Sequence, residues 1–202
     1  MTELDVSRET TVRLAAFTQI FAKWAKAVNL VSSSTLDDLE TRHIGDSLQI
    51  AKFAPESARI WVDIGTGGGF PGLIVAASQV ESHPERQFLL VESDQRKATF
   101  LREAARVMGI SVKVITARIE SLSSLRADVV SARALAPLEL LCGYAGRHLA
   151  PGGVALFMKG EGYAKEVATA RQAGWEFDAE YKASITQPGS VIIIMQNIRR
   201  DV

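Results

Sequence analysis

The chain has one cysteine, Cys142, so it can build neither a disulfide framework nor a cysteine-rich metal site. Its three histidines are scattered, with no ligand cluster around them. No apolar run approaches the ~18 residues of a membrane span. The opening "MTELDVSRET" is polar and acidic, unlike a signal peptide. There is no charge excess either: 23 Lys and Arg balance 23 Asp and Glu. That argues against broad, non-specific nucleic-acid binding, while leaving room for a local basic face. Internal repeats and low-complexity linkers are also absent. These absences describe a soluble, cytoplasmic protein of a reducing compartment, with no membrane and no metal. Its 202 residues suffice for one sizeable domain, or for one domain with an extension. A chain of that size buries roughly 70% of its unfolded surface and needs no staple.

Hydrophobic periodicity divides the chain. Leu14, Phe17, Phe21, Trp24 and Val28 recur at three- and four-residue steps, one face of an amphipathic helix. Ser7 is its expected N-cap, with Glu9 in the first turn. A second helical segment, "TLDDLETRHIGDSLQIAKF", follows, with Ser34 as candidate cap and Gly45 dividing or bending it. Beyond Pro55 and Ser57 the pattern changes to short apolar runs: "RIWVDIG", "QFLLVES", "VKVITA", "DVVSARA", "GVALFMKG" and "SVIIIMQ". Several are nearly continuous, as strands buried on both faces should be. Helical stretches separate them, at residues 71–80, 95–108, 137–148 and 162–173. This alternation implies βαβ units and a parallel sheet. "WEFDAEYKAS" and "SVIIIMQ" are joined by a turn, which reads as a closing antiparallel pair. The expected fold is α/β: a mostly parallel, doubly wound sheet with an antiparallel final strand. Residues 1–54 form a helical cap, and residues 55–202 form the sheet domain of the same compact unit.

"VDIGTGGGFPG" follows the first strand and opens a helix. In such sheets, ligands bind at the carboxyl ends of strands near a topological switch point. Gly67, Gly69 and Gly72 satisfy the dinucleotide spacing G-x-G-x-x-G, a weak match alone. Asp63 argues against a pyrophosphate, which a carboxylate beside the helix N-terminus would repel. A ligand with a cationic head fits better, and S-adenosylmethionine carries an ammonium and a sulfonium. Asp63 is then expected to complement that head, directly or through water and the loop amides. Pro71 suits the first helical position. Glu92, ending the second strand in "LLVESD", is placed to accept both ribose hydroxyls of an adenosine. "TARIESL" after the third strand is placed to line the adenine, with Ile119 on the ring and the Ile119–Glu120 backbone at its edge. Without a ligand, the loop would be only a tight turn, Glu92 a solvated strand end and Ile119 a core residue.

"WAKAVNLVSSS", "RHIGDSLQI", "VDIGTGGGFPG", "VESDQRKATFLREAARVMG", "ARIESL", "SARALAPLELL" and "FMKG" occur in one order, from Trp24 to Gly160. In that order the chain resembles the ribosomal RNA small-subunit methyltransferase G family, also called the glucose-inhibited division protein B family. The resemblance implies a Rossmann-like class I methyltransferase with an N-terminal helical extension. It implies methyl transfer from S-adenosylmethionine to N7 of a single guanine, guanine-527, of 16S ribosomal RNA in the small ribosomal subunit. By position, Gly65, Gly67 and Phe70 fall at the cofactor in the glycine loop, and Ile119 and Glu120 at the adenine. Arg133 matches the family's arginine after the fourth strand, at the mouth of the active site. One departure is visible: many members carry a basic residue just before the last strand, where this chain has "PGSVIII".

Guanine N7 carries an unprotonated lone pair facing the major groove. It needs no general base, and alignment is the enzyme's main task. The sequence matches this by lacking an "N-P-P-Y"-like segment, and by placing Cys142 in a helix as a small buried hydrophobe. No catalytic acid, base or nucleophile is therefore assigned; Arg133 is a possible orienting residue, for a carboxylate, a phosphate or guanine O6. Lys159 is a candidate phosphate contact. His43 and Asp46 lie three apart on one helical face, and Asp46 and Ser47 are read as structural, fixing the cap over the cofactor loop. Lys23, Lys26, Arg42, Arg96, Lys97, Arg102, Arg106 and Arg118 are candidates for a basic rim. Two other readings stay open: a small-molecule methyltransferase, and a non-catalytic ribosome-associated cofactor-binding module.

Overall fold

Ser7 opens the first helix of the computed structural model, which describes residues 6–25, 28, 30 and 43–200. Its Oγ accepts the backbone N–H of Thr10 at 3.1 Å, as an N-cap does, ahead of α1 (Arg8–Ala25). Leu14, Phe17 and Phe21 are buried along one face, with Val28 buried beyond the helix end. Ser34 lies outside the described residues, as do Lys26 and Arg42 of the expected basic rim. From His43 the chain is helical through α2 (Gly45–Gln49) and a 3-10 turn (Ile50–Phe53). Gly45 therefore opens α2 and does not divide the described part of that segment.

Seven strands form one sheet in the order β3-β2-β1-β4-β5-β7-β6. They are β1 (Ile60–Ile64), β2 (Gln87–Glu92), β3 (Lys113–Thr116), β4 (Ala127–Arg133), β5 (Leu149–Lys159), β6 (Trp175–Ala183) and β7 (Val191–Arg200). Only β7 runs against the others, inserted between β5 and β6. The order reverses between β1 and β4, which creates the switch-point crevice. Helices α3 (Gly72–Gln79), α4 (Gln95–Met108), α5 (Leu138–His148) and α6 (Tyr163–Gln172) connect the strands.

Alternation along β1 assigns its two faces. Trp61 joins a hydrophobic cluster with α1, α3 and α4; Val62 and Ile64 join a second cluster with α5 and α6. Phe17 and Phe21 of α1 meet Phe70 of the glycine loop and Phe100 of α4 at centroid separations of 5.5 to 6.2 Å. Among the described residues, no helix is long and apolar enough to cross a membrane.

Candidate active site

A cleft of about 620 Å³ opens at the carboxyl edge of the sheet, over the ends of β1, β2 and β4. The loop after β1, the end of β2, the turn after β3, the segment after β4 and one face of α5 all contribute to it. Gly65, Gly67, Phe70, Glu92, Ile119, Glu120 and Arg133 all line this one cleft.

The floor is the glycine loop. Gly65 has φ +67°, and a Cβ there would run into the side chain of Leu135, so a side chain at this position would be both strained and obstructed. Gly72 serves a different purpose. A Cβ on it would lie 2.5 Å from Asp63 Cβ and 2.6 Å from Leu90 Cδ2, so glycine is what lets α3 sit against β1 and β2. Pro71 stands immediately before α3, and its carbonyl accepts from Val75 N at 3.0 Å. Its position is the cap, one residue before the expected place inside the helix.

Asp63 corrects a sequence expectation. Its side chain does not enter the cleft; it is fully buried beneath the loop. Oδ2 accepts from Thr66 Oγ1 at 2.6 Å and from Gly72 N at 3.0 Å. Oδ1 accepts from Ser131 Oγ at 2.6 Å, and Ser131 Oγ accepts from Trp61 Nε1 at 2.8 Å. The carboxylate thus staples the loop, α3 and β4 together. Burial pushes its pKa up to about 6, against the opposing pull of these hydrogen bonds.

Glu92 stands at the carboxyl end of β2. One carboxylate oxygen accepts from Gly67 N at 2.9 Å, the other from Asp94 N at 2.8 Å. Each oxygen keeps acceptor capacity, because a carboxylate has about four lone-pair sites. Asp94 caps α4 by accepting from Arg96 N and Lys97 N at 2.8 and 3.1 Å. Ile119 and Glu120 lie in a 3-10 turn (Ile119–Ser121). Helix α5 holds that turn twice: Tyr144 donates its hydroxyl to Glu120 Oε1 at 2.7 Å, and Arg147 Nη1 donates to the Glu120 carbonyl at 3.1 Å.

The cap side of the cleft is aromatic. The His43 ring lies 5.1 Å from the Phe70 ring, and Arg133 Cζ lies 5.9 Å from the same centroid. Phe70 also meets Phe17 edge-on, so its ring belongs as much to the cap as to the cleft. Lys97 and Arg118 line the cleft, while Arg102 is bonded to Thr116 Oγ1 at 2.7 Å and Arg106 is paired with Glu103 at 2.7 Å.

Lys159 is a second correction. Its ammonium donates to the Ala136 carbonyl at 2.6 Å and pairs with Glu166 at 2.7 Å, and Glu166 also accepts from Leu138 N at 2.7 Å. Lys159 ties β5 to α5 and α6 and is committed away from a phosphate. Ser47 donates to the His43 carbonyl at 2.6 Å, the expected structural use. Asp46 instead accepts from the far end of the chain, from Ser184 and Thr186 hydroxyls. Cys142 is buried in α5, and burial pushes its thiol up to about 12. A maleimide is therefore expected to leave the native protein unlabelled. Stoichiometric labelling without unfolding would contradict that. Among the described residues, no group of three or more His, Cys, Asp or Glu side chains is placed to hold a metal.

Leu135, Leu140 and Tyr144 also line the cleft and were missed in the sequence. Leu140 and Tyr144 are one helical turn apart, on the face of α5 that the core residues Leu138, Leu141, Cys142 and Ala145 leave open. That spacing was the available signal.

A family model described as rRNA small subunit methyltransferase G matches residues 11–190. Proteins named Ribosomal RNA small subunit methyltransferase G are close relatives. The one from Cereibacter sphaeroides (strain ATCC 17029) is 50% identical over 193 residues, 96% of this chain and 93% of that one. The one from Ruegeria sp. (strain TM1040) is 50% identical over 198 residues, 98% and 96% of the two chains. Solved structures share the fold at much lower identity. A ribosomal protein L11 methylase from Lactobacillus delbrueckii subsp. bulgaricus aligns with TM-score 0.59 at 17% identity, over 75% of this chain and 76% of that one. A TehB-like SAM-dependent methyltransferase from Corynebacterium glutamicum aligns with TM-score 0.55 at 14% identity, over 78% and 88%. The Rossmann-like methyltransferase fold and the near-full-length identity together place the chain in the rRNA small subunit methyltransferase G family.

Proposed function

We propose that the protein methylates N7 of one guanine of 16S rRNA, using S-adenosylmethionine, on the small ribosomal subunit in the cytoplasm. The observation that carries the site assignment is Glu92, whose carboxylate is held by two backbone amides while facing the cleft. That is the acceptor arrangement a pair of ribose hydroxyls requires. Gly65 and Gly67 let the backbone approach the methionine portion, with Phe70 closing that end against the cap. The Ile119–Glu120 turn holds the adenine edge. The cap of residues 1–54 and the domain of residues 55–202 act as one unit around it.

S-adenosylmethionine, when bound, supplies an electrophilic methyl group on a sulfonium. The chain's residues then have positional work only. Guanine N7 already has its lone pair, so no residue must remove a proton before transfer. Arg133 stands at the mouth, on the far side of the cleft from Glu92, and orients a carboxylate, a phosphate or guanine O6 through its planar fork. Holding the nitrogen, carbon and sulfur in line contributes several kcal/mol, up to ~7–11 for near-ideal geometry.

Tyr144→Phe is expected to weaken S-adenosylhomocysteine binding about 3- to 5-fold by loosening the Glu120 turn, with kcat unchanged. Calorimetric titration reads this directly, and an unaltered affinity would remove Tyr144 from the site.

The proposed activity is tested by incubating the purified protein with labelled S-adenosylmethionine and small subunits from a strain lacking the gene. N7-methylguanine is then mapped by borohydride–aniline cleavage and primer extension. One new stop at a single guanine establishes activity, atom and site together. No transfer to subunits, with cofactor binding intact, would favour a small-molecule substrate or a non-catalytic role.

A further inference from the structure

The turn joining β6 to β7, residues 184–190, rises at the same carboxyl edge as the cleft. Its position follows from register: Val191, the first residue of β7, pairs with Lys159 at the end of β5 and with Ala183 at the end of β6. Near the start of this turn stands Ile185, 79% exposed, the most exposed large hydrophobic side chain among the described residues. A lone exposed isoleucine needs no explanation by itself. The support beneath this one does.

Gln49 Oε1 accepts from Ile185 N at 3.1 Å. On either side of it, Ser184 and Thr186 donate their hydroxyls to Asp46 Oδ1 at 2.8 and 2.9 Å. Gln49 Nε2 donates to the same Asp46 oxygen. Ser184 Oγ then accepts from Thr186 N and Gln187 N at 3.2 and 3.0 Å, folding the turn around itself. Asp46 and Gln49 are only 5% and 6% exposed. Two buried polar side chains of α2 are thus committed to a turn that adds nothing to the core. On its other flank the turn is tight against the segment after β5, since a Cβ on Gly189 would lie 2.6 Å from Glu161 Cγ. The result is an apolar residue whose backbone is held in advance in a solvent-facing position. Such ordering gives the free protein little, but it lowers the entropy cost of a later contact.

The neighbourhood identifies the kind of partner. Asp46 lies one helical turn beyond His43, which lines the cleft, so the clamp ties Ile185 to the cleft wall. Leu135 and Leu140, 39% and 51% exposed, give the cleft an apolar edge, and Lys97, Arg118 and Arg133 line it as cations beside the carboxylates of Glu92 and Glu120. An apolar edge with lysine and arginine side chains beside it suits an unstacked strand of nucleic acid. A guanine entering a cleft leaves its stack, and the neighbouring base face is uncovered. Apolar side chains wedge against base faces exposed in this way.

We propose that Ile185 is an RNA-contacting residue, packed against a base face beside the target guanine and held ready by the Asp46–Gln49 clamp. This rests on the rRNA-methylation reading above. Ile185→Ser is expected to lower kcat/KM for small subunits about 10-fold, through KM. Its affinity for S-adenosylhomocysteine and its thermal midpoint should match those of the wild type, because Ile185 has no core contact to lose. Ile185→Leu should retain most of the activity, and Asp46→Asn should lose part of it. In parallel, Ile185→p-benzoylphenylalanine is irradiated on the subunit, and reverse-transcription stops are mapped. Stops within a few nucleotides of the methylated guanine support the contact. Crosslinks to ribosomal protein alone, or wild-type kinetics for Ile185→Ser, overturn it. A wild-type enzyme that methylates no subunit at all would sink the underlying reading, a result distinct from either.

Discussion

Asp63→Ala should lower stability by about 3 kcal/mol and abolish measurable S-adenosylhomocysteine binding. Three donors converge on this carboxylate from the loop, α3 and β4. The two hydroxyls can rotate toward other acceptors; the Gly72 N–H cannot, and a buried donor left unmade costs about 1–3 kcal/mol. A cavity beneath the loop adds to that. Urea unfolding and calorimetric titration together read the effect. A variant with wild-type unfolding midpoint would remove Asp63 from its structural role. Asp63→Asn is the gentler probe. The rise from 3.8 to about 6 corresponds to roughly 3 kcal/mol. Because the folded protein holds this proton more tightly than the unfolded chain, the contribution is fully present below pH ~4. It is lost as pH rises to about 6. Asp63→Asn should therefore lack the part of the stability–pH slope that wild type shows between those values. Parallel slopes in the two proteins would refute the assignment.

Glu92→Ala should weaken cofactor binding by about 100-fold while leaving the fold in place. A hydrogen bond to a charged acceptor contributes about 1.5–3 kcal/mol, and two ribose hydroxyls depend on this group in the proposed complex. The substitution also frees Gly67 N and Asp94 N, so the glycine loop loses its tie to β2. Glu92→Gln keeps one good acceptor and should lose about 10-fold. Titration with S-adenosylhomocysteine at constant pH separates the three proteins. Equal affinity for wild type and Glu92→Ala would move the ribose elsewhere.

The strands and the glycine turn were legible because they are local. Continuous Val and Ile runs mark a sheet covered on both faces, and the seven expected site residues fall at strand ends or in the segments just after them, which one switch point gathers. Asp63 was misread through its chemistry, although its alternation was informative. It sits between Val62 and Ile64, so it had to face the opposite side of the sheet from both, where Gly72 makes room for it. Lys159 and Glu166 are seven residues apart across a strand-to-helix turn, so neither the strand's period nor the helix's governs the pair. The bond from Asp46 to Ser184 spans 138 positions and joins two segments with no local sign of each other.

Phe70 belongs to the loop that lines the cleft and to the aromatic cluster beneath α1. The first helix and the cofactor loop are therefore expected to melt together, as a single cooperative unit. A cofactor analogue bound in the cleft should slow hydrogen exchange at amides of α1 that it never touches. A chain trimmed of its first 25 residues would bare Phe70, Leu73 and Phe100 to water. Such a fragment would be an aggregating species, and no minimal catalytic domain lies within it.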